Sequence, residues 1–264
     1  MKNKYTIYIP SKDRPQHCLT AKLLEKNNIN FYIVIEPQDL DKYIEVYPLK
    51  RLLLLPKNDQ GIAYVRNWIK FFSIFNNEDF HWQIDDNIRA FSKRENDKNN
   101  KISPIDAFNF VENYIKDFVN IGIVGLKHQV FAWSCKEDIS INKQVYSCVL
   151  VNNKLKIDWR DQCVEDTDYS LQVLTNNFCT IIFNRYVIDK VATQKMKGGN
   201  TEISYSGEGR NIRALGLQKN WPNIFKIKEQ YGRVKVSPSR VWSKFPQIPL
   251  KDGEKNVRGL FNES

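Results

Sequence analysis

The sequence predicts an α/β fold whose mixed, mainly parallel central sheet is flanked by helices. Short β-rich runs alternate with segments of helical spacing from Lys4 to Ile84, the βαβαβ order of a parallel sheet. The second run, Asn30-Phe31-Tyr32-Ile33-Val34-Ile35, is apolar on both faces, as a strand covered by helices on both sides must be. Polar or charged residues follow four successive runs, and in a doubly wound sheet such strand ends converge on one rim.

The first strand is Lys4-Tyr5-Thr6-Ile7-Tyr8-Ile9-Pro10, ended by proline and followed by the loop Ser11-Lys12-Asp13-Arg14-Pro15. A helix is expected over residues 16–26. The second strand exits through Glu36-Pro37-Gln38-Asp39, residues 40–47 are helical, and Arg51-Leu52-Leu53-Leu54-Leu55 is the third strand. Beyond the loop 56–61, Ile62, Val65, Ile69 and Phe72 recur on one helical face, which puts Arg66 in the first turns of a helix beside that loop. Phe80-His81-Trp82-Gln83-Ile84 is the fourth strand and delivers Asp85, Asp86 and Asn87.

Residues 91–103 are polar and lysine-rich, and a surface loop is expected there. Ser103-Pro104-Ile105-Asp106 opens a helix with proline at its first position, running to about Asn120 and burying Phe108, Val111, Ile115 and Phe118. Residues 121–126 form a strand with Lys127-His128-Gln129 as its polar exit, and residues 144–151 an antiparallel one. Leu171, Val173 and Leu174 imply a helix beginning near Asp166, residues 178–183 a further strand, and residues 209–215 another helix.

At 264 residues the chain is long enough to bury a sizeable core. The division expected is a core over 1–184 and a C-terminal segment, 185–264, packed on it. Charge follows the same division: of a formal +10, the segment from Arg185 to Ser264 holds 16 Lys+Arg against 7 Asp+Glu. A basic segment on a nearly neutral body suits a polyanionic partner, of which nucleic acid is the commonest, or else is a solvated lysine-rich face. No apolar run reaches membrane-spanning length, and a cytoplasmic protein is expected. The five cysteines lack CxxC spacing and are odd in number, which disfavours a zinc ribbon and a secreted disulfide framework.

Two acidic clusters carry the candidate chemistry. Asp85-Asp86 follows the fourth strand, where ligands bind in an α/β sheet, and carboxylate oxygens suit hard cations such as Mg²⁺ or Mn²⁺; a solvated turn is the alternative. Neither GxGxxG nor GxxxxGK[ST] is present, so a dinucleotide fold or a P-loop is not supported. The second cluster, Glu165-Asp166-Thr167-Asp168, opens a helix, where acids are the ordinary capping choice, worth about 0.3 to 1 kcal/mol. His128 is either a metal ligand or acceptor contact or a structural histidine. Lys197-Gly198-Gly199 either wraps an anion with backbone N–H groups or is a hinge. Further on, Trp221, Tyr231, Arg233, Lys235, Arg240 and Trp242 interleave basic and aromatic side chains, which suits phosphate contacts plus base stacking or, alternatively, packing of this segment on the sheet.

The ordered series Tyr8 to Arg14, Phe31 to Glu36, Leu55-Pro56, Gly61 to Asn67 and Gln83 to Asn87 resembles the nucleotide-sugar half of a GT-A glycosyltransferase. More narrowly, it is similar to the TET/JBP-associated glycosyltransferases, a group found beside thymine and methylcytosine hydroxylases in phages and kinetoplastids. The resemblance implies a GT-A-like, Rossmann-type single domain. It implies that Asp85 and Asp86 fall on a DxD-type metal motif, with Asn87 where many relatives have an acid and Mn²⁺ or Mg²⁺ as the cation. Pro10, Ser11, Arg14 and Glu36 would line the base and ribose of a UDP-sugar, with Arg66 near the diphosphate; Asp85 belongs to the same donor site, which Lys197, Gly198 and Gly199 would close over if they wrap its diphosphate rather than act as a hinge. The second cluster is similar to the Glu-Asp motif of inverting enzymes, in which an acid takes a proton from the acceptor hydroxyl; Asp166 is the first candidate, then Glu165, then Asp168.

The implied activity is transfer of a sugar from a UDP-sugar to a hydroxymethylated pyrimidine, 5-hydroxymethylcytosine above all, in DNA, in the host cytoplasm where a phage encodes it. Two alternatives stand beside it: the same chemistry on a protein or glycan hydroxyl, and a catalytically silent nucleic-acid-binding domain on the same scaffold.

Overall fold

The computed structural model describes residues 3–191, 207–230, 233–236 and 241–254, with the backbone alone for 207–208, 227–230 and 233–236. In chain order the first half runs β1 (Ile7–Pro10), α1 (Leu19–Lys26), β2 (Tyr32–Ile35), α2 (Leu40–Ile44), β3 (Leu52–Leu54), α3 (Gly61–Phe75), β4 (Phe80–Ile84), β5 (Ile88–Glu95), β6 (Lys98–Ile102) and α4 (Pro104–Ile115). It continues with β7 (Ile121–His128), α5 (Gln129–Ala132), β8 (Ile139–Ile141), β9 (Cys148–Asn152), α6 (Glu165–Thr175), β10 (Cys179–Lys190), α7 (Gly207–Asn220), β11 (Ile227–Gln230) and β12 (Arg233–Val236).

One sheet has the order β3-β2-β1-β4-β9-β7-β10-β5-β6, with β8 paired to β10. The block β3-β2-β1-β4 is parallel, held in register by Ile33 opposite Leu52, Tyr8 opposite Tyr32 and Ile7 opposite Trp82. β9 lies antiparallel between β4 and β7, and β7 is parallel to β10, so β4, β7 and β10 point the same way and end at one rim. The expected mixed, mainly parallel sheet with flanking helices is the architecture observed.

The apolar faces meet as their periodicity requires. Trp82 is fully buried beneath α4, its ring centroid 4.9 Å from that of Phe108, and its Nε1 donates to Glu112 Oε1 at 2.9 Å. A buried indole N–H must find an acceptor, and Glu112, one turn on from Phe108, supplies it. The other face of the sheet is covered by α3 through Val65 and Ile69, and by α6 through Tyr169 and Val173.

Four boundaries differ from expectation. Residues 91–103 are not a loop: they belong to the antiparallel hairpin β5–β6, closed by Asn96 at φ 48° and Asp97 at φ 61°. Asn and Asp tolerate the left-handed conformation that a two-residue hairpin turn demands, and this turn chemistry outweighs the polar composition. Lys127 and His128 lie inside β7 rather than beyond it, and α4 ends at Ile115 rather than near Asn120. The expected division at residue 184 falls inside β10. That strand pairs with β7 and β8 through Phe183, shifts register, then pairs with β5 from Tyr186 and again with β7 from Val187, carrying the chain unbroken to Lys190.

The C-terminal segment packs on α6: Leu217, Phe225, Val241 and Trp242 form a buried cluster with Cys163, Leu171 and Leu174. Gly216 permits this approach, since a Cβ there would stand 1.8 Å from the Gln162 carbonyl oxygen. Trp242 is therefore core, and Trp221 is half-buried with its N–H committed to Asp168; neither is an exposed stacking platform. All five cysteines are free, and four are buried. No helix among the described residues is long and apolar enough to cross a membrane.

Candidate active site

The strand ends β1, β2, β4, β7 and β10 open onto one cavity of about 860 Å³, walled on its far side by the loop before α6 and by α7. This size suits a small-molecule site, and its place at the carboxyl ends of parallel strands is where such sheets bind ligands. Pro10, Ser11, Arg14, Glu36, Arg66, Asp85, Asp86, Asn87, His128, Glu165 and Asp166 all face it; Asp168 does not. Lys197, Gly198 and Gly199 lie outside the described residues.

Asp85 is anchored on both sides. Its N–H donates to the Ser147 carbonyl at 2.7 Å, and Ser147 holds the left-handed φ of 68°. Its Oδ1 accepts from Arg66 Nη2 at 3.3 Å and its Oδ2 from Lys190 Nζ at 2.6 Å; Lys190 also donates to Ser147 Oγ at 2.8 Å. Burial alone would raise the Asp85 carboxyl, but the Lys190 ammonium and the Arg66 guanidinium hold it down at about 2. Asp86 accepts from Arg14 Nη1 at 3.0 Å and from Ser11 Oγ at 2.8 Å, and Ser11 Oγ lies 2.6 Å from the Tyr43 hydroxyl. Burial raises the Asp86 carboxyl against the pull of Arg14 and Ser11.

At the β2 end, Glu36 is buried and bonded to Lys12 Nζ at 2.9 Å and Gln38 Nε2 at 2.6 Å. Lys12 continues to Asp59 at 2.5 Å, so a small polar network closes this side of the cavity.

Arg66 joins the two acidic clusters. Only 3 % exposed, it donates to Gln83 Oε1 at 3.2 Å and to Asp85, and its Nη2 lies 3.7 Å from Asp166 Oδ1. Asp166 keeps 22 % of its side-chain surface open to the cavity. Removal from water raises its carboxyl to about 7, with the negative charges of Glu165 and Asp85 adding to the rise and Arg66 opposing it. A carboxylate near that value is suited to take a proton at neutral pH. Glu165 is paired with Arg213 of α7. Asp168 is fully buried and accepts from Arg160 Nε and Gln172 Nε2, both at 2.8 Å, and from Trp221 Nε1 at 2.7 Å. It ties α6 to the C-terminal segment and has no access to a substrate, which removes it from the catalytic candidates.

Sequence reasoning missed Lys190, Ser147, Tyr146, Lys12 and Arg213. Lys190 closes a strand expected to end seven residues earlier, and Arg213 reaches the site only because Gly216 lets α7 abut the loop.

A model of the family described as TET-Associated Glycosyltransferase matches residues 5–199. The chain belongs to that family. It is a glycosyltransferase, an activity that takes a nucleotide-sugar donor. A comparison with curated proteins finds no match. Similar solved structures include apo UDP-glucose pyrophosphorylase (TM-score 0.45, 7% identity, covering 72% of this chain and 92% of that one). Others are A197 from STIV (0.42, 14%, 74% and 87%) and the apo glycosyltransferase GlyE of Streptococcus pneumoniae TIGR4 (0.32, 13%, 58% and 35%).

The glycosyltransferase's donor set does not fit the divalent cation expected at Asp85, Asp86, Asn87 and His128. All four carboxylate oxygens are taken: three face Arg66, Lys190 and Arg14, and the fourth faces Ser11. Asn87 Oδ1 and His128 Nε2 are buried without a hydrogen-bond partner among the described residues. Two neutral donors fall well short of the roughly six oxygen ligands that Mg²⁺ or Mn²⁺ takes. Among the described residues no three His, Cys, Asp or Glu side chains converge to hold a cation. Burial and the neighbouring Lys190 lower His128 to about 4, so its ring is neutral at pH 7. The positive charge at this floor is the protein's own.

Proposed function

We propose that this TET-associated glycosyltransferase moves a sugar from a UDP-sugar to the hydroxyl of a hydroxymethylated pyrimidine, 5-hydroxymethylcytosine first, in DNA. The observation that carries the reading is Arg66, set between Asp85 at 3.3 Å and Asp166 at 3.7 Å in a single cavity. A departing diphosphate and an acceptor hydroxyl need opposite help within a few ångströms. Cations must meet the charge growing on the leaving oxygen, and a base must take the proton from the attacking one.

In this reading Pro10, Ser11 and Glu36 take the base and ribose of the donor. Arg14, Arg66 and Lys190 present positive charge to the diphosphate, and Asp85 and Asp86 hold those cations in place. The acceptor oxygen forms a bond to the anomeric carbon as the bond from that carbon to the diphosphate oxygen breaks. The electron pair leaves with UDP, and the hydroxyl proton passes to an Asp166 oxygen. One displacement inverts the anomeric centre. Glu165, held by Arg213, and Asp168, held by Arg160 and Trp221, position α6 and so aim Asp166.

The test is incubation with hydroxymethylcytosine DNA and a panel of UDP-sugars, followed by nucleoside mass spectrometry. A nucleoside heavier by one hexose or hexosamine residue is expected. UDP release with no nucleoside mass gain would transfer the reading to a protein or glycan hydroxyl, and neither UDP binding nor UDP release would end it.

A further inference from the structure

The sheet order divides the cavity. Residues after β1 and β2, with Asp86, line one end; His128 of β7 and Tyr146 before β9 line the other, with Asp85, Lys190 and Asp166 between them. The proposed donor occupies the first end, which leaves the second for the acceptor.

This second end is aromatic and continues outward onto solvent. Val130 is 67% exposed, Phe131 50% and Trp133 75%, all on or beside the single turn of α5. Val130 and Phe131 also line the cavity. The Phe131 ring stacks on His128 at 24° with centroids 6.3 Å apart, and His128 meets Tyr146 at 4.5 Å. Tyr146 and Asp166 line the same cavity, and burial and the Asp166 carboxylate together raise the Tyr146 hydroxyl. Tryptophan is among the more buried residue types, and adjoining exposed apolar side chains at a cavity mouth mark a binding surface.

We infer that the row Phe131, His128 and Tyr146 is the acceptor subsite, and that it takes an unstacked nucleic-acid base, guiding its substituent toward Asp166, with Trp133 exposed just past α5 as a reporter of occupancy. The inference deepens the proposed activity and rests on it for the chemistry at Asp166. Successive π faces receive any base, while Lys190 lines the same cavity and the basic segment 185–264, whose helix α7 also walls the cavity, attracts the phosphate backbone. A second copy of the chain would bring the same positive charge to this face, and a neutral oligosaccharide would gain nothing from it.

The test is tryptophan fluorescence on titration with a single-stranded oligonucleotide containing one hydroxymethylcytosine. Of six tryptophans, Trp133 is the exposed one; the other five are buried or half-buried. Quenching is expected in the wild type and not in Trp133→Phe. Phe131→Ala should weaken binding at least tenfold, since stacking on one aromatic face is worth roughly ten- to hundredfold in affinity, and Phe131→Trp should restore it. Thermal denaturation checks that each variant is folded.

Equal affinity for wild type and Phe131→Ala would overturn the inference. So would quenching by a neutral oligosaccharide but not by the oligonucleotide, or quenching that follows protein concentration alone as the chain dimerises. The expected quenching with no sugar transfer from any donor would uphold the subsite and fail the proposed activity. Transfer to DNA with an unchanged acceptor KM in Phe131→Ala would do the reverse.

Discussion

Replacing Asp166 with asparagine tests the proposed chemistry at its centre. The side chain keeps its size, and Arg66 keeps Asp85 and Gln83 as partners, so the fold should persist. What is lost is a carboxylate raised to about 7, near the operating pH and hence an effective proton acceptor. A positioned general base contributes roughly 10²- to 10⁴-fold, or about 2.7 to 5.5 kcal/mol at roughly 1.36 kcal/mol per tenfold in rate. Transfer by Asp166→Asn should therefore fall by that factor while UDP still binds.

The pH dependence supplies a second readout. Below about 7 the wild-type base is increasingly protonated, so kcat/KM should rise about tenfold per pH unit up to pH 7 and flatten above it. The variant should lack this rise. The sign for stability is opposite: the folded state holds a proton that the unfolded chain releases near the ordinary carboxylate pKa. The wild type therefore loses stability as pH climbs from about 4 to 7, and the asparagine variant is spared that loss. Transfer above about a tenth of wild type, or an unchanged inflection near pH 7, would refute the assignment of Asp166 as base.

Lys190→Met removes the shortest cation contact of Asp85; the Asp85 carboxyl should rise from about 2, and UDP affinity by calorimetry should drop by about tenfold or more. With Lys190 in place, chelation by EDTA should change UDP affinity by less than about threefold, because a divalent cation would need carboxylate oxygens that Arg66, Lys190 and Arg14 already hold. A larger loss, restored by Mn²⁺, would put a metal back at Asp85. Arg14→Gln leaves Asp86 buried beside a neutral partner and should cost about 3 to 5 kcal/mol in urea unfolding. Gly216→Ala drives a methyl against the Gln162 carbonyl and should cost about 1 to 3 kcal/mol while loosening Arg213 from Glu165, read as lower stability together with slower transfer.

The sequence by itself determined the parallel half of the sheet and the ligand rim. Tyr8 to Pro10, Tyr32 to Ile35, Leu52 to Leu54 and Phe80 to Ile84 are short apolar runs between helical segments, and local pattern is enough to place such elements. Asp85 and Asp166 were legible because each stands at the end of a well-marked element. The β5–β6 hairpin is hidden in the sequence, because its strands are polar on the exposed face and only the Asn96-Asp97 turn betrays it.

Tertiary structure alone decided which acids are exposed to chemistry and which are spent on packing. Asp166 and Asp168 are two residues apart on one helix, so their side chains diverge by about 200° around its axis; one faces the cavity and the other is sealed under Arg160 and Trp221. The same holds for the positive charge at Asp85. Lys190 lies 105 residues further along the chain and Arg66 19 residues before it, and only the pairing of β10 with β7 and the packing of α3 over β4 bring both within 3.3 Å of one carboxylate. Distances between elements far apart in the chain are set by sheet order and helix packing, and no local pattern of residues encodes them.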